Sequence, residues 1–580
     1  MTSARHTFRK AVPAAAVAGA LAGAVLTAAP AQAAGHDPRP ASVGRPAPAS
    51  QAELQARVDA VKAALAAKGK DTEGQGKPRT GKANPRIIGG DDATTTEAPW
   101  MVQLFYNDDR GTDDVGDDES FFCGGTLVNQ SKIVTSASCV AGRDWVNHGT
   151  VVAGSTKLYD GTQGRRVGIW RTWTNPAYDD AKNTGDVAVL TLRGLLPFKG
   201  LQPTAAANTA SYTPGTTGTV YGWGSPSSSS DALAPNLKKA TLTVQADKAC
   251  TDQYGARFTA GQMLCAGEAA TGSDTGTVTP CHGDTGGPLV IGGRIAGIVS
   301  WSEKDCSTSG ARGVFTKTST FTGLINPRVD DTNLNYDDKA DLFARGSDGN
   351  AYAYLSRGTS LGSRAELGDW GGANVVRQTD LNLDDDVDLL FRTADGKLYW
   401  FGYDANEEEY TDHQIGSGWG SYRNITVPGD VTGDGAPDVV ATDAAGALWL
   451  WSGKGNGGLN AAKKIGVGWS TYQVYGKGDY SGDGIPDLLA RDAQARLWVY
   501  KGTGNPNSPF SARVQIGSGW NFTAYVTTGD ITGDGRADFI VRDAAGDMWA
   551  YRSTGSATVP FVTSQRIKVG TGWKSYNLFG

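Results

Sequence analysis

Five acidic stretches recur about every 50 residues in the C-terminal half of the chain. Asp430-Val-Thr-Gly-Asp-Gly-Ala-Pro-Asp438 carries side-chain oxygens on Asp430, Thr432, Asp434 and Asp438, at positions 1, 3, 5 and 9 of the stretch. Position 7 can add a backbone carbonyl, and glycine at position 6 permits a sharp turn, an arrangement suited to a hard oxygen-seeking cation such as Ca2+. Asp479, Ser481, Asp483 and Asp487 repeat this spacing, as do Asp530, Thr532, Asp534 and Asp538. Asp380, Asn382, Asp384 and Asp388 follow it with Asp385 in place of the glycine, and Asn333, Asn335, Asp337 and Asp341 with Asp338 there. One such stretch alone reads as an Asp-Gly turn. Five in register argue for structural calcium that neutralises clustered carboxylates.

A second set of residues lies upstream. Ile133–Cys139 reads IVTSASC, Asp186 opens DVAVLTL, and Gly283–Pro288 reads GDTGGP. Phe122–Leu127 (FCGGTL) and Arg86 before Ile87-Ile88-Gly89-Gly90 complete the pattern. These motifs resemble the trypsin-like serine proteases over roughly 240 residues. The resemblance implies a double β-barrel with a catalytic triad at positions 138, 186 and 285. It also implies an oxyanion hole from the amides of Gly283 and Thr285, and substrate contacts at Thr279, Ser300 and Trp301. Cleavage after Arg86 would free the Ile87 amine to pair with Asp284. In the family a histidine stands directly before the cysteine of the IVTSASC stretch and a serine within GDSGGP. Here those positions are Ser138 and Thr285.

Acyl transfer needs a nucleophile, a base that takes its proton and a group that orients the base. Ser138 has no basic nitrogen, and Thr285 adds a branched methyl that restricts χ1. The chain has 5 histidines. Of these, His282 and His148 fall in loops near the cleft and read as solvated loop residues; rescue by His282 is the testable exception. Thr279 removes the acid that a preference for Lys or Arg requires, and Asp274 lies too far upstream to replace it. Three functions stay open: a catalytically impaired homologue that binds a protein or peptide in its cleft, an endopeptidase with a Thr285 nucleophile, and an adhesion protein working through its repeats.

Elements must position these groups. Arg5, Arg9 and Lys10, an Ala/Gly-rich apolar run and Ala31-Gln32-Ala33 read as a secretory signal over residues 1–33. No other stretch has the length and apolarity of a membrane span. Residues 34–86 read as a propeptide with one helix, Gln51–Ala67, whose Leu54, Val58, Val61 and Leu65 share a face. That helix either covers the next domain or serves as a spacer. Residues 87–327 read as all-β, apolar strands cut by Gly, Ser, Thr and Asp turns. Residues 328–580 carry several strands per repeat, the mark of a propeller of about five blades, and resemble FG-GAP/VCBS repeats. The closing GWKSYNLFG matches the start of a unit, so the C-terminus is expected to close the ring on the first blade.

The chain carries a net charge of −6, and its first 86 residues are net basic, so the remainder is more acidic still. That argues against nucleic acid or an anionic membrane as a partner and suits a cation binder. All 6 cysteines lie between Cys123 and Cys306, which in a secreted chain implies disulfides. Composition leaves their pairing open; the resemblance selects Cys123–Cys139, Cys250–Cys265 and Cys281–Cys306. Trp419, Trp469, Trp520 and Trp573 recur in the turns between units. They read first as blade packing and second as a rim for cell-wall glycan or another surface partner.

Overall fold

The computed structural model describes residues 48–72, 87–110, 118–160, 164–204, 208–230, 232–330, 332–404 and 409–580. The expected signal segment and Arg86 lie outside these. The fold is all-β: two seven-stranded sheets followed by five four-stranded ones.

Each seven-stranded sheet curls into a barrel whose interior follows the period of two. In Met101–Asp108, Val102, Leu104 and Tyr106 point inward with Leu127, Ile133, Val151 and Leu190. Met101 and Phe105 face out and join Phe122 and Val152 in a separate apolar cluster. The second barrel is filled by Val220, Leu242, Leu264, Leu289, Val299 and Phe315. Disulfides Cys123–Cys139, Cys250–Cys265 and Cys281–Cys306 are the three that the resemblance implies.

Helix α1 (Gln51–Thr72) lies on the outside of the first barrel. Leu54, Val58 and Val61 are 2%, 1% and 0% exposed, so this helix covers the protease-like domain. Its start is a capping box: the Ser50 amide donates to Glu53 at 2.6 Å, and the Glu53 amide to Ser50 Oγ at 3.2 Å.

The five small sheets form a propeller. The last strand, Tyr576–Phe579, completes the first blade, with Ala344 opposite Phe579 and Arg345 opposite Leu578. This is the expected ring closure, and it removes the open edge that a five-sheet array would leave. Trp419, Trp469, Trp520 and Trp573 are 4–7% exposed. Their rings meet Trp451, Tyr500, Tyr551 and Tyr354 at 4.4, 4.7, 4.8 and 4.6 Å. The reading of these four tryptophans as a glycan rim is therefore corrected: stacking against a blade strand buries them. Strand arginines hold the same turns. Arg392 donates to the carbonyls of Trp419 and Tyr422, and Arg542 to those of Trp573 and Tyr576.

The acidic loops face the first domain. Their position-6 residues form a ring of contacts beneath it. Asp385 takes a forked pair from Arg171 at 2.8 and 2.9 Å and a bond from Lys132. Asp338 lies 3.7 Å from Arg171. Gly484 accepts from Asn326, and the open sides of Gly435 and Gly535 meet Gln202 and Leu324. Asp338 and Asp385 adopt φ of 67° and 75°, a conformation natural to the glycines of the sister loops. The inter-domain ion pairs offset that strain.

Lys132 and Asp385 are 1% and 0% exposed, so removing one strands the other. Asp385→Ala is expected to cost about 3–5 kcal/mol. Urea unfolding of the full chain measures this, and a loss under about 1 kcal/mol would show that the two domains do not depend on the pair.

Candidate functional site

The cleft lies where the barrels meet, and a chain of contacts aligns its two sides. The Gly124 amide donates to the Thr285 carbonyl at 2.8 Å. Gly124 follows Cys123, whose disulfide holds Cys139 and with it Ser138. Gly286 closes the join at φ 86°, where a Cβ would stand 2.2 Å from the Gly124 oxygen, so only glycine fits.

Asp186 is fully buried and accepts from the Ser138 amide at 2.7 Å and from Ser300 Oγ at 2.5 Å. Ser138 Oγ lies 3.3 Å from Asp186 and 3.1 Å from Ser136 Oγ. Burial pushes the Asp186 pKa up to about 6 against the pull of these donors. The structure thus joins Ser138 to Asp186 as the family pattern requires, but the group it orients is a hydroxyl. Beyond Asp186 and Ser136, the described polar side chains beside Ser138 include a phenol and a guanidinium. Tyr178 donates to Asp180 at 2.7 Å, and burial pushes its phenol further up. Arg143, which the sequence pattern did not single out, binds the Ser138 carbonyl at 2.8 Å and lies 4.6 Å over the Phe121 ring. A guanidinium cannot take a proton at neutral pH.

His282 donates from Nε2 to the Lys304 carbonyl at 2.9 Å, which turns the ring toward that loop. His148 lies 3.6 Å from Asp108, against Tyr106. Thr285 is half-buried, and among the described residues its hydroxyl meets no acceptor. The amides of Gly283 and Thr285 likewise donate to no described group, as an oxyanion hole requires. Gly283 at φ 88° packs under Leu233.

Thr279, expected at the base of a specificity pocket, is buried and donates its amide to the Ile88 carbonyl at 3.3 Å. Asp274 is held elsewhere by Ser227 Oγ at 2.7 Å and the Ser228 amide at 3.1 Å, so it brings no charge to that base. Trp301 is half-buried between Tyr254 and Arg257, at 4.8 and 4.6 Å.

Ile87 is fully buried among second-barrel residues. Asp284, also fully buried, accepts from the amides of Gly224 at 2.8 Å and Cys281 at 2.9 Å. Neither donor is charged, and burial pushes its pKa up to about 7. Gly224 was missed in the sequence because its role is a backbone amide.

The acidic loops fit a cation unequally. Asp479, Asp483 and Asp487 bring carboxylate oxygens within 4.8 Å of one another. Burial and mutual repulsion raise Asp438, Asp487 and Asp538 well above the carboxylate range. Asp538 Oδ1 is buried with no hydrogen-bond partner. A hard cation would meet each of these conditions. In the second loop Asp380 and Asp388 are raised in the same way, but Lys132 already pulls Asp380 down. In the first loop neutral Asn333 and Asn335 stand where the sister loops have an aspartate at position 1 and a hydroxyl or amide at position 3, and Asp337 pairs with Lys339 at 3.6 Å. That loop is the poorest fit.

The sign of the Asp284 effect follows from its shift. A folded pKa above the unfolded one stabilises below the unfolded value, and this contribution is lost as pH rises through the folded pKa. For the uncleaved chain the loss is expected between about pH 4 and pH 7, on the order of 4 kcal/mol. Urea midpoints against pH should flatten in this window for Asp284→Asn; an unchanged slope would assign the effect to other carboxyls.

The trypsin family profile matches residues 87–325, and an FG-GAP-like repeat profile matches 479–541. "Trypsin" of Saccharopolyspora erythraea is 34% identical over 243 residues, 42% of this chain and 98% of that protein. A "trypsin-like protease" of Streptomyces glaucescens is 34% identical over 244 residues, 41% of this chain and 81% of its own length. Human kallikrein-14 is 30% identical over 255 residues, 42% of this chain and 85% of its own length. Through its first two barrels, the chain belongs to the trypsin family.

Proposed function

We propose that this chain is a secreted trypsin-family homologue that has lost peptidase turnover. It binds a protein or peptide in the retained cleft and uses a calcium-loaded propeller as a rigid base for attachment to a surface partner. One observation carries this reading: Asp186 orients a serine hydroxyl, and no described group near Thr285 has a basic nitrogen directed at it. In an unrelated protease fold, loss of either nucleophile or base costs about 10⁶ in kcat. An oxyanion hole and groove without them retain roughly 10³–10⁴ over water. The three disulfides fit an oxidising compartment. The burial of Asp284 beside neutral donors supports processing at Arg86–Ile87, since a freed Ile87 ammonium would supply the missing cation.

The test compares the full chain, cleaved at Arg86–Ile87, with the Ser138→His/Thr285→Ser variant on a mixed peptide library. Only the variant is expected to cleave, by at least about 10⁴-fold over the natural chain. Comparable rates would overturn the proposal and require an unassigned base.

Calcium makes a separate prediction. At 1,000 times its Kd an ion adds about 4 kcal/mol to stability. Chelation should therefore lower Tm, and Asp538→Ala should abolish part of the calcium-dependent rise. A Tm indifferent to calcium would remove the metal from this reading.

A further inference from the structure

The apolar cluster beneath α1 is not part of either barrel interior. Phe105, Phe122 and Val152 point outward from the first barrel and are 0%, 7% and 1% exposed because the helix lies over them. Val58, Val61 and Leu65 enter that groove, and Leu54, 2% exposed, extends the apolar face beside Gly168. The fit has a polar edge as well: Arg57 Nη1 donates to the Gly149 carbonyl at 2.9 Å, and Thr150 Oγ1 donates to the Leu54 carbonyl at 3.3 Å. The groove runs to the cleft, since its border residue Leu233 packs directly on Gly283.

Among the described residues, only noncovalent contacts hold the helix to the barrel. It caps itself through Ser50 and Glu53, it is rich in alanine, and no disulfide ties it down. It precedes Arg86, so one cleavage at Arg86–Ile87 turns an intramolecular contact into a bimolecular one. A local concentration on the order of millimolar is then lost.

We propose that this groove is a receptor for an amphipathic helix of a partner protein, and that α1 holds the place until processing. The partner presents aliphatic side chains at the spacing of Leu54, Val58, Val61 and Leu65, with a cation at the place of Arg57 for the Gly149 carbonyl. This is helix-in-groove recognition. The inference rests on the proposed binding role and extends it to a second surface outside the cleft, with its own ligand class.

The test uses fluorescence anisotropy with two labelled probes: a peptide of residues 48–72, and a polyalanine-based helix keeping only the four aliphatic residues and the arginine. The receptor is the full chain, either uncleaved or cleaved after Arg86 and freed of its N-terminal fragment. Both probes are expected to bind the cleaved protein saturably. Binding to the uncleaved chain, and binding of a Val58→Asp/Val61→Asp peptide to the cleaved one, is expected to be at least tenfold weaker. Equal binding to both protein forms, or a native fragment that stays bound after dilution below micromolar, overturns the proposal. Binding of the 48–72 peptide but not the polyalanine helix also overturns it, because the groove would then be a seat for this segment alone. A peptidase assay on the same cleaved sample reports the catalytic reading independently, so failure of one is not failure of the other.

Discussion

A carboxylate taken out of water must find donors or a cation, and that constraint organises this molecule. Asp186, Asp284, Asp385 and the loop aspartates Asp438, Asp487 and Asp538 are all fully buried. They are satisfied in different ways. Asp186 uses neutral hydroxyls and amides. Asp385 is met by Arg171 and Lys132 from the other domain, which hold it below the usual range despite burial. The loop aspartates face one another, and their raised pKa values express burial first and mutual repulsion second, both of which a hard cation would relieve. The same chemistry thus sets a cleft, joins two domains and defines candidate ion sites.

Replacing histidine by Ser138 leaves the support of the cleft intact because that support does not pass through the ring. Asp186 still receives the residue-138 amide and Ser300, and Gly124 still holds the Thr285 carbonyl. Backbone bonds survive a change of side chain, so geometry and chemistry separate cleanly here. The proposed binding role rests on this separation: the cleft's shape is held by backbone, while proton transfer would need a base that Ser138 does not supply.

Much of this was legible in the sequence. Strands such as Leu448–Trp451 and Leu497–Tyr500 follow from aromatic segments that recur at the repeat period, and ring closure follows from the match of the closing GWKSYNLFG to the start of a unit, as in GWGSYRN at Gly418–Asn424. Three things were hidden because they depend on contacts far apart in the chain. The tryptophans of the turns look the same in sequence whether they pack inward or outward; stacking on Trp451 or Tyr500 decides it. Asp338 and Asp385 look like decayed loop positions until Arg171 and Lys132 are seen beneath them. Arg143 carries no motif, since its partners are a carbonyl, Glu119 and the face of Phe121.

The docked domains narrow where a surface partner can bind. The loop face of the propeller is occupied by the first domain through Asn326, Leu324 and the Asp385 pairs. What stays open is the opposite face, where the short turns between second and third strands lie. There Trp449, Trp498 and Trp549 are half-buried, and Asp443, Asp492 and Asp543 hold their indole N–H groups at 2.8, 3.0 and 2.9 Å. Arg513 and Arg566 cover the rings of Trp498 and Trp549 at 4.1 Å each. With their edges pinned and two of the faces taken, these indoles serve the blades first.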